Sequence, residues 1–230
     1  MDKLNLKKIL HTTQKKYIIK LLFTLNKIML NKIFKINNTF STKKSINSAV
    51  KILKNGGVVI SPTETAYGLI TDFTNKIAVN KIFKIKQREK NKLLPIIVSD
   101  FKMANEYFNF DKDSLALAKK YWPGPLTLIL NKKEQTKGKG VAVRISNNKI
   151  VNQLTKKLGR PITATSANIS GQDLCYDIFD AIKQFKNNKI KPDIFLNAGI
   201  LPKNIPSTII DARNKKIKII RQGKIKILQN

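Results

Sequence analysis

Gly56 to Lys92 reads GGVVISPTETAYGLITDFTNKIAVNKIFKIKQREKNK. The apolar run Val58-Val59-Ile60, bounded by Gly56-Gly57 and Pro62, predicts a buried strand entering a turn. The loop that follows, Ser61-Pro62-Thr63-Glu64-Thr65-Ala66-Tyr67-Gly68, gathers hydroxyls, one carboxylate and one phenol. A helix comes next, capped by Thr74 or Asn75, with Ala78, Val79, Ile82, Phe83 and Ile85 on its apolar face. Lys84, Lys86, Arg88, Lys90 and Lys92 then recur at every second position. Residues two apart point about 200° away from each other on a helix but share a side on an extended chain. If Lys86 and Arg88 act together, the helix has to end by that point. A polar loop after a strand and a cationic segment after its helix make a seat for an anionic ligand.

Outward from this stretch, 230 residues are enough for one domain with a real core. The net charge of +31 invites a nucleic-acid reading, because such a field steers phosphates. Arginine, however, occurs only at positions 88, 144, 160, 213 and 221, and the chain is crowded with Lys, Asn and Ile. These three share adenine- and thymine-rich codons, so codon bias is expected to set much of the charge. Each arginine is informative for the same reason. Cys175 is the sole cysteine, which excludes an internal disulfide and a cysteine-based metal site. The sole histidine, His11, lies in the N-terminal leader, so the body of the chain holds no Ser-His or Cys-His pair and no metal site is expected.

Residues 1–40 carry a single acid, Asp2, and are read as a basic N-terminal extension preceding a domain at 41–230. Within it Tyr17, Ile18, Leu21, Leu22, Leu25, Ile28 and Met29 form a helical stripe, which Lys20 and Lys27 interrupt too soon for a transmembrane span. An acid-free amphipathic leader resembles an organelle transit peptide, but it lacks arginine. The lysine bias is chain-wide, so a cytoplasmic location is the expectation and organelle targeting the alternative.

Further helices are expected from Ser45 to Gly56, Leu115 to Tyr121, Ile150 to Leu158 and Ile178 to Phe185. Strands are expected at Leu94–Val98, Leu126–Leu130, Val141–Ile145, Ile162–Thr165, Ile194–Leu196, Ser207–Asp211 and Ile217–Ile220. Trp122-Pro123-Gly124-Pro125 reads as a rigid turn. Strands and helices interleave, and several connections are too short for crossover helices. The class is therefore α/β, with a twisted mixed sheet and flanking helices.

Ser166 and Asn168 follow a strand of small residues that would let a ligand approach the backbone, although either could simply turn the chain. Arg144 stands in the apolar strand Val141–Ile145, where an unpaired guanidinium is costly. It must meet a protein carboxylate or an anionic ligand, and the scarcity of acids favours a ligand carboxylate. For Arg221 the salt-bridge and phosphate readings stand even. Tyr67 and Trp122 read as packing residues, and Glu64 as a turn acceptor or a base. Neither common nucleotide-binding glycine fingerprint is present.

Seven pieces resemble the YrdC family of threonylcarbamoyl-adenylate synthases. They are Ser61–Leu69, Lys86-Gln87-Arg88, Trp122–Thr127, Val141–Ile145, Thr165–Gly171, Pro206-Ser207-Thr208 and Ile220–Gly223, and they occur in family order across about residues 45–224. The resemblance implies a YrdC-like fold, a twisted sheet with a concave basic cleft. It also implies a reaction in which L-threonine, bicarbonate or CO2, and ATP give threonylcarbamoyl-AMP and pyrophosphate. Lys86, Arg88, Lys92, Asn168 and Arg221 would face ATP; Thr65, Arg144, Ser166 and Ser207 would face threonine. No covalent nucleophile is required, Mg²⁺ would arrive bound to ATP, and a partner transferase would pass the group to tRNA beside the anticodon, with weak tRNA binding here. Departures from the pattern are Glu89, where the family usually has proline, and the absence of a histidine some ten residues later. Two rival readings are a basic RNA-binding module and a paralogue that has lost the threonine substrate.

Overall fold

A computed structural model of the chain describes residues 32–37, 39–134, 139–214 and 217–227. The amphipathic stripe expected from Tyr17 to Met29 lies outside the described residues. Among the described residues no helix is long and apolar enough to cross a membrane.

The β-structure is mixed, as expected, but it forms two sheets where one was anticipated. The first has five strands: β1 (Ile33–Lys35), β2 (Val59–Pro62), β3 (Tyr67–Ile70), β9 (Thr165–Ser166) and β10 (Ile194–Asn197), in the order β1-β10-β2-β3-β9. The second contains β4 (Ile96–Val98), β5 (Phe108–Asn109), β6 (Leu126–Lys132), β7 (Val141–Ile145), β8 (Ile162–Thr163), β11 (Thr208–Asp211) and β12 (Lys218–Arg221). Its order is β12-β11-β6-β7-β4-β8, with β5 on the end of β6. The run expected as one strand from Ile162 to Thr165 is where the sheets meet. It breaks at Ala164, so that β8 pairs with β4 while β9 pairs with β3. An Asp72–Ile162 bridge and the bond from Thr163 N to Thr71 O (2.9 Å) tie the end of β3 across the junction.

Side chains alternate across a strand, and this alternation decides which sheet is covered on both faces. Val59, Ile70, Ile194 and Leu196 of the five-stranded sheet pack against α1 (Thr39–Lys54) and α5 (Lys149–Leu158). The intervening Val58, Ile60, Leu69 and Phe195 pack against α2 (Lys76–Lys86) and α6 (Ile178–Phe185). Burial on both faces explains the unbroken apolar run at positions 58–60. The seven-stranded sheet differs. Leu126, Leu128, Leu130, Val143, Ile145 and Ile210 enter a core with residues of α3 (Phe101–Tyr107) and α4 (Lys112–Tyr121). The alternate residues Thr127, Ile129, Ala142, Arg144 and Ile209 line a cleft instead. The open face of this sheet is the ground on which the site stands.

Helix α2 starts as its sequence suggests. Of the two candidate caps, Asn75 is the one used: its Oδ1 accepts from Ala78 N at 3.0 Å. Thr74 is unavailable, because its N–H and hydroxyl both donate to Asp72 Oδ1. Helix α3 and the short strands β1, β3 and β5 were not foreseen, Tyr67-Gly68 having been read as loop. Seven or fewer residues give too little periodicity to read.

Strand β1 falls inside the stretch expected to form a separate extension. It pairs in parallel with β10 through Ile33–Phe195, Phe34–Leu196 and Lys35–Asn197, and Phe34 and Ile36 pack on the core beneath α1. A chain cut before Lys32 should therefore melt several degrees above one cut after residue 40. Losing the strand and the start of α1 removes about 2 kcal/mol or more, equivalent to roughly 4–8 °C in a domain of this size. Thermal denaturation of the two truncations side by side checks this.

Candidate active site

The cleft has a volume of about 430 Å³. Its walls are Thr63, Thr65–Gly68 and Thr165-Ser166 from the five-stranded sheet and its β2–β3 loop, the open face of the seven-stranded sheet, and segments around Arg88, Tyr176 and Asn204–Ser207. Arg88, Arg144 and Arg221 line it, and no carboxylate does. Such a lining, with its low-dielectric walls, favours an anionic occupant.

Arg88 reaches the cleft because α2 stops one residue before Gln87. Gln87 takes the left-handed conformation at φ 51°, and its N–H and that of Arg88 return to Lys84 O and Phe83 O. This motif closes helices, and a left-handed residue there is most often glycine, so the stop was not visible in the sequence. The turn sends Lys86 and Arg88 to different places. Arg88 donates from Nη2 to Leu93 O at 3.0 Å, its Nε is buried without a hydrogen-bond partner, and burial draws its pKa below the ordinary arginine value.

Lys86, expected to face ATP, is instead almost fully buried behind the cleft at 1% exposure. Its Nζ donates to Ser166 O (2.5 Å), Asn168 O (2.8 Å) and Asn168 Oδ1 (2.9 Å). Those three acceptors occupy the whole donor set of an ammonium. Burial, with Arg88 nearby, pulls its pKa down to about 7. Asn168 is likewise spent within the protein: Oδ1 also accepts from Ser166 Oγ at 2.6 Å, and Nδ2 donates to Gln172 O at 2.5 Å. The two residues shape the turn after β9 that presents Ser166 to the cleft. Lys92 is elsewhere, at a second cavity of about 230 Å³ rimmed by Lys90, Lys132 and Lys139.

Thr65, Arg144, Ser166 and Ser207, expected around threonine, all line the main cleft. Arg144, expected to meet either a protein carboxylate or a ligand carboxylate, meets the protein one, which the scarcity of acids had made the less favoured. Its Nη1 lies 2.5 Å from Glu64 Oε1, and Ser146 Oγ donates to Glu64 Oε2 at 2.8 Å. The acids are few, but one of them sits opposite on the loop between β2 and β3, a juxtaposition of residues 80 positions apart that sequence spacing does not reveal. Among the described residues Arg221 has no ion-pair partner; Nε and Nη2 donate to Ser207 O at 3.2 and 2.8 Å. Burial and the neighbouring Arg144 lower its pKa. Gly223 is required here, since a Cβ on it would lie 2.5 Å from the Ser207 carbonyl carbon. Ser207 Oγ in turn shares a hydrogen bond with Thr127 Oγ1 at 2.8 Å.

Tyr67 is packed as expected, its hydroxyl donating to Gly199 O at 2.7 Å and accepting from Ala198 N at 3.0 Å. Trp122 donates to Leu126 O at 2.7 Å from the core side. Asn204 was missed. It lines the cleft and donates from Nδ2 to Glu64 O at 2.8 Å, and the only sequence hint was its place two residues before Pro206-Ser207-Thr208. Cys175 offers no nucleophile, because burial pushes its thiol up to about 11. Among the described residues no cluster of three or more His, Cys, Asp or Glu could hold a metal ion.

The fold is α/β, and at the seam of its two mixed sheets a cleft presents three arginines together with the hydroxyls of Thr65, Thr127, Ser166 and Ser207. Residues 51–223 match the Sua5/YciO/YrdC family model, described as "Telomere recombination". The chain belongs to that family. It is 32% identical over 188 residues to the threonylcarbamoyl-AMP synthase of Vibrio vulnificus, covering 78% of this chain and 98% of the relative. The crystal structure of P. abyssi Sua5 complexed with L-threonine superposes with a TM-score of 0.73 at 30% identity, covering 83% of this chain. This chain spans only 56% of that protein's length. E. coli YciO gives a TM-score of 0.72 at 27% identity, covering 84% of this chain and 95% of the other.

The Lys86 geometry carries a pH signature. Below about pH 7 its amine is charged in both folded and unfolded chains, and burial of the charge weakens the fold. Between about pH 7 and the ordinary lysine value of 10.5, the unfolded chain holds a proton that the folded chain releases. Stability relative to Lys86→Met should therefore rise with pH across that window. Urea denaturation of both proteins at pH 7 and pH 9 checks the sign; a wild-type stability that falls relative to the variant on going to pH 9 contradicts it.

Proposed function

We propose that this protein is a threonylcarbamoyl-AMP synthase, joining L-threonine, bicarbonate or CO2, and ATP to give threonylcarbamoyl-AMP and pyrophosphate. The observation that carries the reading is the acid-free, three-arginine cleft of a family member whose relatives bear this name. The threonine amine takes up CO2 with loss of a proton, or bicarbonate with loss of water, and the resulting carbamate, the amino-acid carboxylate and the ATP phosphates are all anionic. Three guanidiniums in a part-buried cleft offset that charge, and positioning the carbamate oxygen against the α-phosphorus supplies the rest. Attack there breaks the bond to the bridging oxygen and releases pyrophosphate, so the protein needs no covalent nucleophile.

In this assignment Arg88 and Arg221 meet the phosphates. Lys92 would act on the outer phosphates only if they extend past Leu93 into the second cavity. Arg144, Thr65, Ser207 and Ser166, the last on the turn held by Lys86 and Asn168, take the amino acid. The cleft lining has no carboxylate, so Mg²⁺ would be carried by the ATP phosphates rather than by the protein. The product is a mixed anhydride, which a partner transferase would consume by moving the threonylcarbamoyl group to adenosine in tRNA. The reaction would run in the cytoplasm.

Purified protein with threonine, bicarbonate and labelled ATP should form the adenylate and pyrophosphate, both strictly dependent on threonine. ATP turnover that ignores threonine contradicts the reading. Within that assay, Arg144→Lys should raise the threonine KM about tenfold to more than a hundredfold, because lysine cannot reproduce a two-pronged contact. Its ATP KM should change little, whereas Arg88→Ala should weaken ATP and spare threonine.

A further inference from the structure

We propose that Glu64 is a positioning residue for the amino-acid substrate: its carboxylate anchors Arg144 on the cleft face of β7, so that a guanidinium too buried to be left alone stays aimed at the ligand. The proposal rests on the amino-acid role assigned to Arg144 above.

Glu64 is connected on every side. Its Oε1 meets Arg144 Nη1 at 2.5 Å, its Oε2 accepts from Ser146 Oγ at 2.8 Å, and its main-chain oxygen accepts from Asn204 at 2.8 Å. Ser146 Oγ is itself pinned by accepting from Asn148 N at 3.1 Å, at the start of α5. The carboxylate therefore has a fixed place and acts on Arg144 from outside the cleft lining. Arg144 is 7% exposed. Removing the charge of Glu64 would leave a buried guanidinium without compensation, in the field of Arg221. Such a cation relieves its burial by swinging toward water, away from the position a substrate carboxylate requires. Glu64 meets Arg144 through Nη1, and among the described residues Nε is buried without a hydrogen-bond partner, so the protein does not saturate the fork. Asn204 extends the same anchor to the segment 204–207, which carries Ser207 into the cleft.

A role as general base fits this geometry poorly, since both carboxylate oxygens are already engaged by Arg144 and Ser146. The two roles separate kinetically. Glu64→Gln keeps the shape and removes the charge. It should raise the threonine KM about tenfold while kcat and the ATP KM stay within about twofold. Ser146→Ala should move the threonine KM in the same direction by less, and the pH profile of kcat should keep its shape in both variants. A threonine KM that is unchanged or lower in Glu64→Gln overturns the proposal, as does a loss confined to kcat. A crystal structure of Glu64→Gln reads the anchor without turnover. Arg144 displaced from the cleft face is expected, and Arg144 unmoved overturns the proposal. If the parent protein shows no threonine-dependent pyrophosphate release, the synthase reading fails while the crystal structure still decides the anchor.

Discussion

The buried Lys86 amine is the constraint on which the cleft depends. A polar group at 1% exposure is tolerable only if it finds hydrogen-bond partners, and those available are two main-chain oxygens and an amide oxygen of the turn at 166–168. Satisfying the amine therefore fixes that turn against the end of α2. Ser170 N donates back to Lys86 O at 2.8 Å, and Ala167 N donates to Tyr67 O at 2.7 Å, so the turn is also locked to β3. With those contacts made, Arg88 on one side and Ser166 on the other have no freedom to drift. Gln87 in its left-handed conformation is the hinge that makes both placements compatible.

The second determinant is topological. Helices cover both faces of the five-stranded sheet, whereas in the seven-stranded one the face of β6, β7 and β11 opposite Leu128, Val143 and Ile210 is left open to the cleft, and only Ile97 and Ile162 of β4 and β8 are buried beneath α1 and α5. Alternation along β6, β7 and β11 then decides the chemistry residue by residue. Leu128, Val143 and Ile210 fill the core, while Thr127, Arg144 and Ile209 reach the cleft. A buried polar residue on a strand of this sheet is tolerated only with a partner. Thr127 has Ser207 and Arg144 has Glu64.

Much of this was legible in the sequence, for reasons that can be stated. The buried strand at 58–60, the cap at Asn75 and the stop at Gly159 are local signals, carried by residues within a few positions of each other. Arg144 announced itself because a guanidinium in an apolar strand demands a partner. The identity of that partner was not legible, since Glu64 and Arg144 are brought together by the antiparallel turn of β2 and β3 and not by spacing. Lys86 was misread because lysine alternating with arginine resembles a cationic strand. Only the closure at Gln87, which carries no glycine, reverses that picture. The split of the sheet at Ala164 escaped notice for a similar reason: two-residue strands have no pattern to read.

The division of the cleft is tested most directly by a crystal structure of the protein with L-threonine and a non-hydrolysable ATP analogue. The threonine carboxylate should lie within hydrogen-bonding distance of Arg144 while Glu64 keeps its contact, with the phosphates between Arg88 and Arg221 and Lys86 still buried against Ser166 and Asn168. Phosphates lodged instead among Lys90, Lys132 and Lys139, or a threonine carboxylate bound away from Arg144, would contradict the account.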